Sequence, residues 1–260
     1  MVRGLYTGYT GMLNQQYRLD TITNNLANAT TTGYKREDTT ARAFDDVLAV
    51  KVKDRSVNYL NQGIGKMSLG VKIGENYVDY SQGSLVGTEN TYDLALGGNG
   101  FFSISFTDKS GNETIKYTRD GSFTVDAEGT LRTKDGDYVL NDAGEQIILP
   151  TDTTDVVFDS LGNIYIDGEY TDTLGIADFE DYDYLAKDTG ENYFIAVDGA
   201  VPTEWTGKIH QGYKEASNIN VISEMVEMIE IQRAYEANQR VIQTEDSLLE
   251  KSVNQIGRVQ

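Results

Sequence analysis

The sequence predicts an α+β fold: N- and C-terminal helices pairing as a coiled coil, with an inserted antiparallel all-β domain. Three observations predict it. Apolar side chains recur every seven residues near both termini, the middle of the chain alternates apolar and polar residues between glycine turns, and neither terminal stripe has a cover within its own segment.

The C-terminal stripe is the longer. Val221, Met228, Tyr235, Ile242, Leu249 and Ile256 each follow the last by seven residues. Seven residues is close to two helical turns, so these side chains share one face. Met225 and Val253, four positions after two of them, begin a second row, whose other places hold Gln232, Gln239 and Asp246. No proline occurs from Asn218 onward and Gly257 is the only glycine there, which predicts a helix over 219–256. Asn220 is placed to cap it, and Glu224 lies in the first turn, where a carboxylate suits the helix dipole. A helix this long with one narrow apolar stripe requires a partner.

The partner lies at the other end of the chain. Leu5, Met12, Leu19 and Leu26 are again seven apart, with Ile22 three after Leu19. Gly4, Gly8 and Gly11 each cost about 1 kcal/mol of helix propensity relative to alanine, but fall on one side, where another backbone can come close. A frayed N-terminus in the free chain is the alternative. Arg3, Arg18 and Asp20 argue against a membrane segment. The run Asn28-Ala29-Thr30-Thr31-Thr32-Gly33 stops the helix.

Residues 34–70 are mixed: Ala43 to Val52 fits a short helix or an extended stretch, and Asn61 to Gly70 a loop or irregular hairpin. From Val71 to Trp205 the period becomes two, as in Phe102-Ile104-Phe106, Phe123-Val125, Tyr138-Leu140 and Ile164-Ile166. Asp120-Gly121, Glu128-Gly129, Asp135-Gly136, Ala143-Gly144, Gly162-Asn163 and Asp167-Gly168 supply the turns, and Pro150 and Pro202 mark breaks. The resulting division is 1–35 and 206–260 as helical assembly segments, 36–74 as a connecting segment and 75–205 as a β-rich outer domain.

The net charge of −19 argues against nucleic acid as a partner. Residues 75–200 carry 26 acidic and 6 basic groups, so nearly all the acidity lies in the middle. Such a field reads as a solvated outer face. The absence of cysteine excludes disulfides, thiolate metal sites and cysteine nucleophiles. No apolar run reaches a membrane span, and the N-terminus lacks the apolar core of a Sec signal peptide, which implies cytoplasmic residence or another export route.

Catalytic constellations are lacking. The one histidine, His210, sits in a polar linker and reads as exposed or structural. Gly97-Gly98-Asn99-Gly100 has neither the lysine nor the following helix of a phosphate loop and reads as a turn into a strand. The clusters Asp178, Glu180, Asp181, Asp183 and Asp159, Asp167, Glu169 lack the glycine and terminal glutamate of an EF-hand and read as solvated surface. No cofactor, metal site or enzymatic activity is expected.

Several blocks resemble the bacterial flagellar rod and hook proteins. Thr10-Gly11-Met12, Gln15-Gln16 and Leu19-Asp20 are similar to the family's start, and Asn24-Asn25-Leu26-Ala27-Asn28 with Thr32-Gly33-Tyr34-Lys35 to its signature. Thr23 and Tyr34 replace the usual alanine and phenylalanine. Ser81 to Leu85, Asp93 to Leu96, Gly100 to Phe102 and Tyr117 to Phe123 are similar to the middle domain, and Gln211 to Tyr213, Glu215 to Asn218 and Gln232 to Glu236 to the C-terminal block. Length and the single β domain fit the proximal and distal rod proteins. Gln232 to Glu236 and Leu69-Gly70-Val71 favour the distal one, and the segment around Ala43-Phe44 is less typical of it.

The resemblance implies a structural subunit of the rod, the drive shaft that carries torque from motor to hook. It implies export through the flagellar secretion apparatus without a cleaved signal, and helical homopolymerisation through the terminal helices. The partners are then further copies and other rod and hook proteins. The candidate assembly residues are Leu5, Met12, Leu19, Ile22, Asn24, Asn25, Leu26, Asn28, Gly33, Val221, Met225, Met228, Tyr235, Ile242 and Leu249, with the Asn24 to Lys35 turn at a subunit junction. A secreted carboxylate-dependent hydrolase and a cytoplasmic coiled-coil adaptor are the alternatives. The first has no use for the terminal stripes, and the second no reason to resemble rod proteins at both ends.

Overall fold

A computed structural model describes residues 2–51, 62–108, 111–150, 156–188 and 192–256. The chain is mixed α+β, with a helix near each end and mostly antiparallel strands between, and it divides into two compact units. Unit 1 gathers Met1–Ala27, Glu37–Asp79 and Asn220–Gln260; unit 2 gathers Asn28–Arg36 and Tyr80–Ile219. These units cut the chain at different places from the four-segment division, because residues 28–36 and 206–219 bond within the β-rich unit.

In unit 1, helix α1 spans Val2–Ala27 and helix α2 spans Val221–Lys251, continuing as a π-type turn over Ser252–Ile256. Asn220 caps α2, its Oδ1 accepting from the Ile222 and Ser223 amides. Strands β1 (Glu37–Ala43), β2 (Val47–Lys51), β3 (Gln62–Met67) and β4 (Val71–Val78) pair antiparallel, β1 with β4 and β2 with β3. The register of β1 slips between Thr39 and Ala41, where Thr40 Oγ1 bonds Glu75. Of the two readings of Ala43 to Val52, the extended one holds over β2; Val52 and Asn61 lie outside the described residues.

The poor local propensity of α1 is overridden by packing on two sides. One side meets α2. The other meets the β1–β4 hairpin, where Thr21 Oγ1 lies 3.2 Å from Thr39 Oγ1 and Asn76 donates to the Tyr17 hydroxyl. Gly70, at φ +121, brings its Cα against Thr10, where a Cβ would collide with the hydroxyl.

Unit 2 is built on a nine-stranded sheet. Seven strands form its path, Leu185–Lys187, Phe194–Ala196, Glu113–Thr118, Phe101–Thr107, Tyr138–Val139, Leu131–Thr133 and Phe123–Val125, and Ile176–Phe179 with Pro202–Thr203 branches from Phe101–Thr107, every pairing antiparallel. A three-stranded sheet covers Val156–Phe158, Asn163–Ile166 and Glu169–Thr173. The alternation read from the sequence puts Phe102, Ile104, Phe123, Leu140, Ile164 and Ile166 inside, while Val139, which it sent outward, is buried and Tyr138 only half-buried. Gly129, Gly136, Gly144, Gly162 and Gly168 all turn with positive φ, while Gly121 does not; its Cα lies against the Leu94 carbonyl, where no side chain fits. On the other face of the sheet Tyr80, Phe101, Tyr182 and Phe194 stack into an aromatic cluster.

Candidate assembly surfaces

The seam between α1 and α2 is made of small and polar side chains as much as apolar ones. Gly4 faces Glu245, Gly8 faces Ile242 and Gly11 faces Asn238, so the glycines that weaken the helix are the places where α2 comes close. Farther along, Arg18 Nη2 bonds Glu227 Oε1 at 2.7 Å, and the Asn25 amide donates to Glu224 Oε2 at 3.3 Å. These pairs ascend α1 while descending α2, so the helices are antiparallel. Asn25, fully buried, also binds the Glu37 backbone from both ends of its amide, at 2.8 and 3.0 Å. Buried polar groups of this kind fix one register, because any slip leaves them without partners.

This geometry corrects the companion row of α2. Met228, Tyr235, Ile242 and Leu249 are half-buried, but the second inward row lies three residues after each member, not four. It comprises Glu224, Ile231, Asn238 and Glu245, of which Glu224 and Ile231 are buried. Met225 and Val221 are instead exposed, as are Val253, Gln232, Gln239 and Asp246. Because the inward row holds a single apolar residue, hydrophobic spacing alone pointed to the wrong face. The side chain of Ile256 lies outside the described residues. On α1, Ile22 is buried, while Leu5, Met12, Leu19 and Leu26 are half-buried beside the Gly4, Gly8, Gly11 row; Asn24 is exposed.

The outward faces went unread in the sequence. Tyr6, Tyr9 and Leu13 stand exposed on α1, and Ile222, Met225, Val226 and Ile229 on the first turns of α2, the isoleucine at position 222 being 75% accessible. The signal was present: Ile222, Val226 and Ile229 follow the three- and four-residue spacing of a second stripe. Each unit-1 helix therefore keeps a partly apolar face open besides what it packs within the unit.

Asn28 and Gly33 belong to unit 2. The Asn28 carbonyl and side chain accept from Thr31, forming the turn. Gly33 is buried at φ +67, its Cα against the Arg119–Asp120 peptide, where a Cβ would collide with backbone. Two residues on, Lys35 Nζ bonds Glu215 Oε1 at 2.6 Å, and Arg119 Nη1 lies 3.4 Å from Glu215 Oε2. Burial pushes the Arg119 guanidinium below its ordinary range, opposed by the Glu215 carboxylate.

The places that sequence inspection weighed for chemistry hold ordinary structure. His210 is exposed on the strand Lys208–Gln211, edge-on to Tyr213. Gly98 and Gly100 turn with positive φ into the strand that starts at Phe101. Asp178 accepts from the Tyr182 hydroxyl, and Asp181 caps a short 3-10 turn. Among the described residues no cluster of three or more metal-ligating side chains occurs, and no helix is long and apolar enough to cross a membrane.

Three family models match in chain order. That of the flagella basal body rod protein covers residues 5–35, that of the flagellar hook protein FlgE/F/G D1 domain covers 95–166, and that of the flagellar basal body rod FlgEFG protein C-terminal covers 210–256. Relatives match end to end. The flagellar basal-body rod protein FlgG of Bacillus subtilis is 33% identical over 98% of this chain and 99% of its own. The chain belongs to the flagellar basal-body rod proteins of the FlgG/FlgF type. FlgF of Caulobacter vibrioides is 33% identical over 100% of both chains, and FlgG of Agrobacterium fabrum 36% over 95% and 97%. The first and last matched segments contain nearly all of α1 and all of α2, so family membership rests on the elements that form the candidate surfaces as well as on the β unit.

Proposed function

We propose that this chain is a structural axial subunit of the flagellar basal-body rod, without catalytic role, and that copies polymerise helically through their terminal helices into the shaft that carries torque from motor to hook. The observation that carries this reading is the open second face on each helix. Tyr6, Tyr9 and Leu13 on α1 and Ile222, Val226 and Ile229 on α2 expose apolar area that a lone subunit has no reason to keep. The two faces differ, so a contact between them is head-to-tail, the kind that builds an open helical array when its rotation does not close into a ring.

In this reading α1 and α2 form a short antiparallel coiled coil, with Met228, Ile231, Tyr235, Asn238 and Ile242 in heptad positions. The assembly residues are those named from the sequence except Ile22, Asn25 and Gly33, which are buried inside the subunit, with Val221 and Met225 turned toward neighbours rather than toward α1. As a map of roles, 1–35 and 206–260 build the helical layer, 36–74 braces neighbouring subunits and 75–205 projects outward. Other rod and hook proteins cap the array at its two ends, and the flagellar export apparatus delivers the chain. Gln232 to Glu236 and Leu69-Gly70-Val71 favour the distal rod position over the proximal one.

The test uses exposed positions, so folding is spared. Paired substitutions Leu13→Ser with Tyr9→Ser, and separately Ile222→Ser with Ile229→Ser, are made in the full chain. Each pair should abolish filament formation in electron micrographs and sedimentation while leaving the melting curve of the monomer unchanged. Filaments formed at the parent's rate by both variants would remove the helix faces from the assembly surface.

A further inference from the structure

The chain passes between the two units at four places, after residues 27, 36, 79 and 219. On the unit-2 side, the last three of these connections are tied to one another by a single group of contacts, buried at its centre and open at its edge. Asn218 is the first tie: its Oδ1 accepts from the Arg36 amide at 2.8 Å, and its Nδ2 donates to the Ser81 carbonyl and hydroxyl at 3.3 and 3.1 Å. Lys35 is the second, with Nζ on the same Ser81 carbonyl at 2.8 Å and on Glu215 Oε1 at 2.6 Å. Glu215 is the third. Its carboxylate accepts from the Gly83 amide at 2.8 Å, and its carbonyl from the Gly33 amide at 2.8 Å.

The side chains at the centre, Lys35, Glu215 and Arg119, are 1–2% accessible. Arg119 carries the tie into the sheet unit, its Nη2 donating to the Gly98 carbonyl at 2.7 Å. A carboxylate held between two cations away from water is strong only while its geometry holds, so the contacts stand or open together. We infer that Asn218, Lys35 and Glu215 form a clasp that makes the connections at 36, 79 and 219 leave unit 2 as one cooperative piece instead of three separate linkers. The residues that resemble the family signature, Thr32-Gly33-Tyr34-Lys35, then serve the inside of the subunit. This assignment uses the rod reading only for its purpose, since a shaft subunit passes load through these connections.

Hydrogen exchange on the full, unassembled chain tests it, with Asn218→Ala and Lys35→Met as the variants. Asn218→Ala removes the acceptor of the Arg36 amide but touches neither acceptor of Gly33 or Gly83. The clasp requires that exchange at Gly33 and Gly83 nevertheless rise with Arg36, by about tenfold or more, while Leu96 and Ile104 in the core stay at the parent's rate. Lys35→Met must likewise speed exchange at Arg36, whose acceptor is Asn218. If only the Arg36 amide responds to Asn218→Ala, or if Arg36 keeps the parent's rate in Lys35→Met, the connections are independent and the clasp is wrong. If the core amides speed up equally, the contacts belong to global stability and the inference fails too. Exchange is read without any polymer, so failure of the assembly reading leaves this result standing, and the reverse.

Discussion

At the scale of single residues, the positions that matter most are those whose surroundings admit one side chain. Gly33 is such a position, since its left-handed backbone and the Arg119–Asp120 peptide at its Cα leave no room for a Cβ. Its place in a Thr-Thr-Gly-Tyr run announced a helix stop, but nothing local announced the peptide it packs on. Tyr193 is another. It is buried, and its hydroxyl donates to Asp137 Oδ2 at 2.7 Å with Asp135 Oδ2 at 3.2 Å. Burial first, then the two carboxylates, raise its pKa far above the ordinary phenol value, despite the opposing bond from Thr133. The unfolded chain releases this proton near about pH 10 while the folded chain keeps it. Above that pH the unfolded state binds fewer protons, so stability declines as pH rises. The contribution is whole below about pH 10 and is lost above it. Tyr193→Phe should therefore show a shallower fall in melting temperature between about pH 9 and 11 than the parent. Equal slopes would mean that the phenol is not linked to folding.

At the scale of elements, the two helices illustrate how far periodicity carries. The seven-residue spacing identified both, and Asn220 was legible as a cap because its side chain needs only the next two amides. Asn220→Ala should lower stability by about 1 kcal/mol, with faster exchange confined to the first turn of α2, at Ile222 and Ser223. Unchanged protection there would show that packing, not the cap, sets the start of the helix. The companion row of α2 was not legible, because Glu224, Asn238 and Glu245 are polar residues that sequence reasoning sends to water. They face inward because α1 offers glycine and amide partners at matching heights. The α1 glycines were read as a place for close approach, and α2 is what approaches. Strands β2 and β3 settled an ambiguous stretch by pairing with each other, a choice that no window of residues near Val47 contains.

At the scale of the whole molecule, charge and surface set the terms of assembly. The net charge is −19, and residues 75–200 hold most of the acidic groups. In the proposed filament, copies side by side would repel through these regions, and salt would weaken the repulsion beyond a Debye length of about 10 Å at 0.1 M. The proposed contacts on Tyr9, Leu13, Ile222 and Ile229, which are exposed apolar side chains, would survive salt. Polymerisation of the full chain should accordingly be faster at about 0.3 M than at about 0.03 M salt, as followed by light scattering. Slower growth at high salt would point to attraction between charges as the driving contact.

The sequence by itself determined the class of fold, the two helices, the β unit with its glycine turns and, through blocks spread along the chain, the family. These features are local or periodic: turns need glycine at fixed offsets, strands alternate and helices repeat, whatever lies across from them. Tertiary structure alone decided which helix faces turn inward, where the chain divides into units, and that Lys35, Arg119 and Glu215 meet. The reason is that a charged or amide side chain has no fixed preference for inside or outside. Its burial depends on a partner tens to hundreds of residues away, and only the folded chain brings the two within reach.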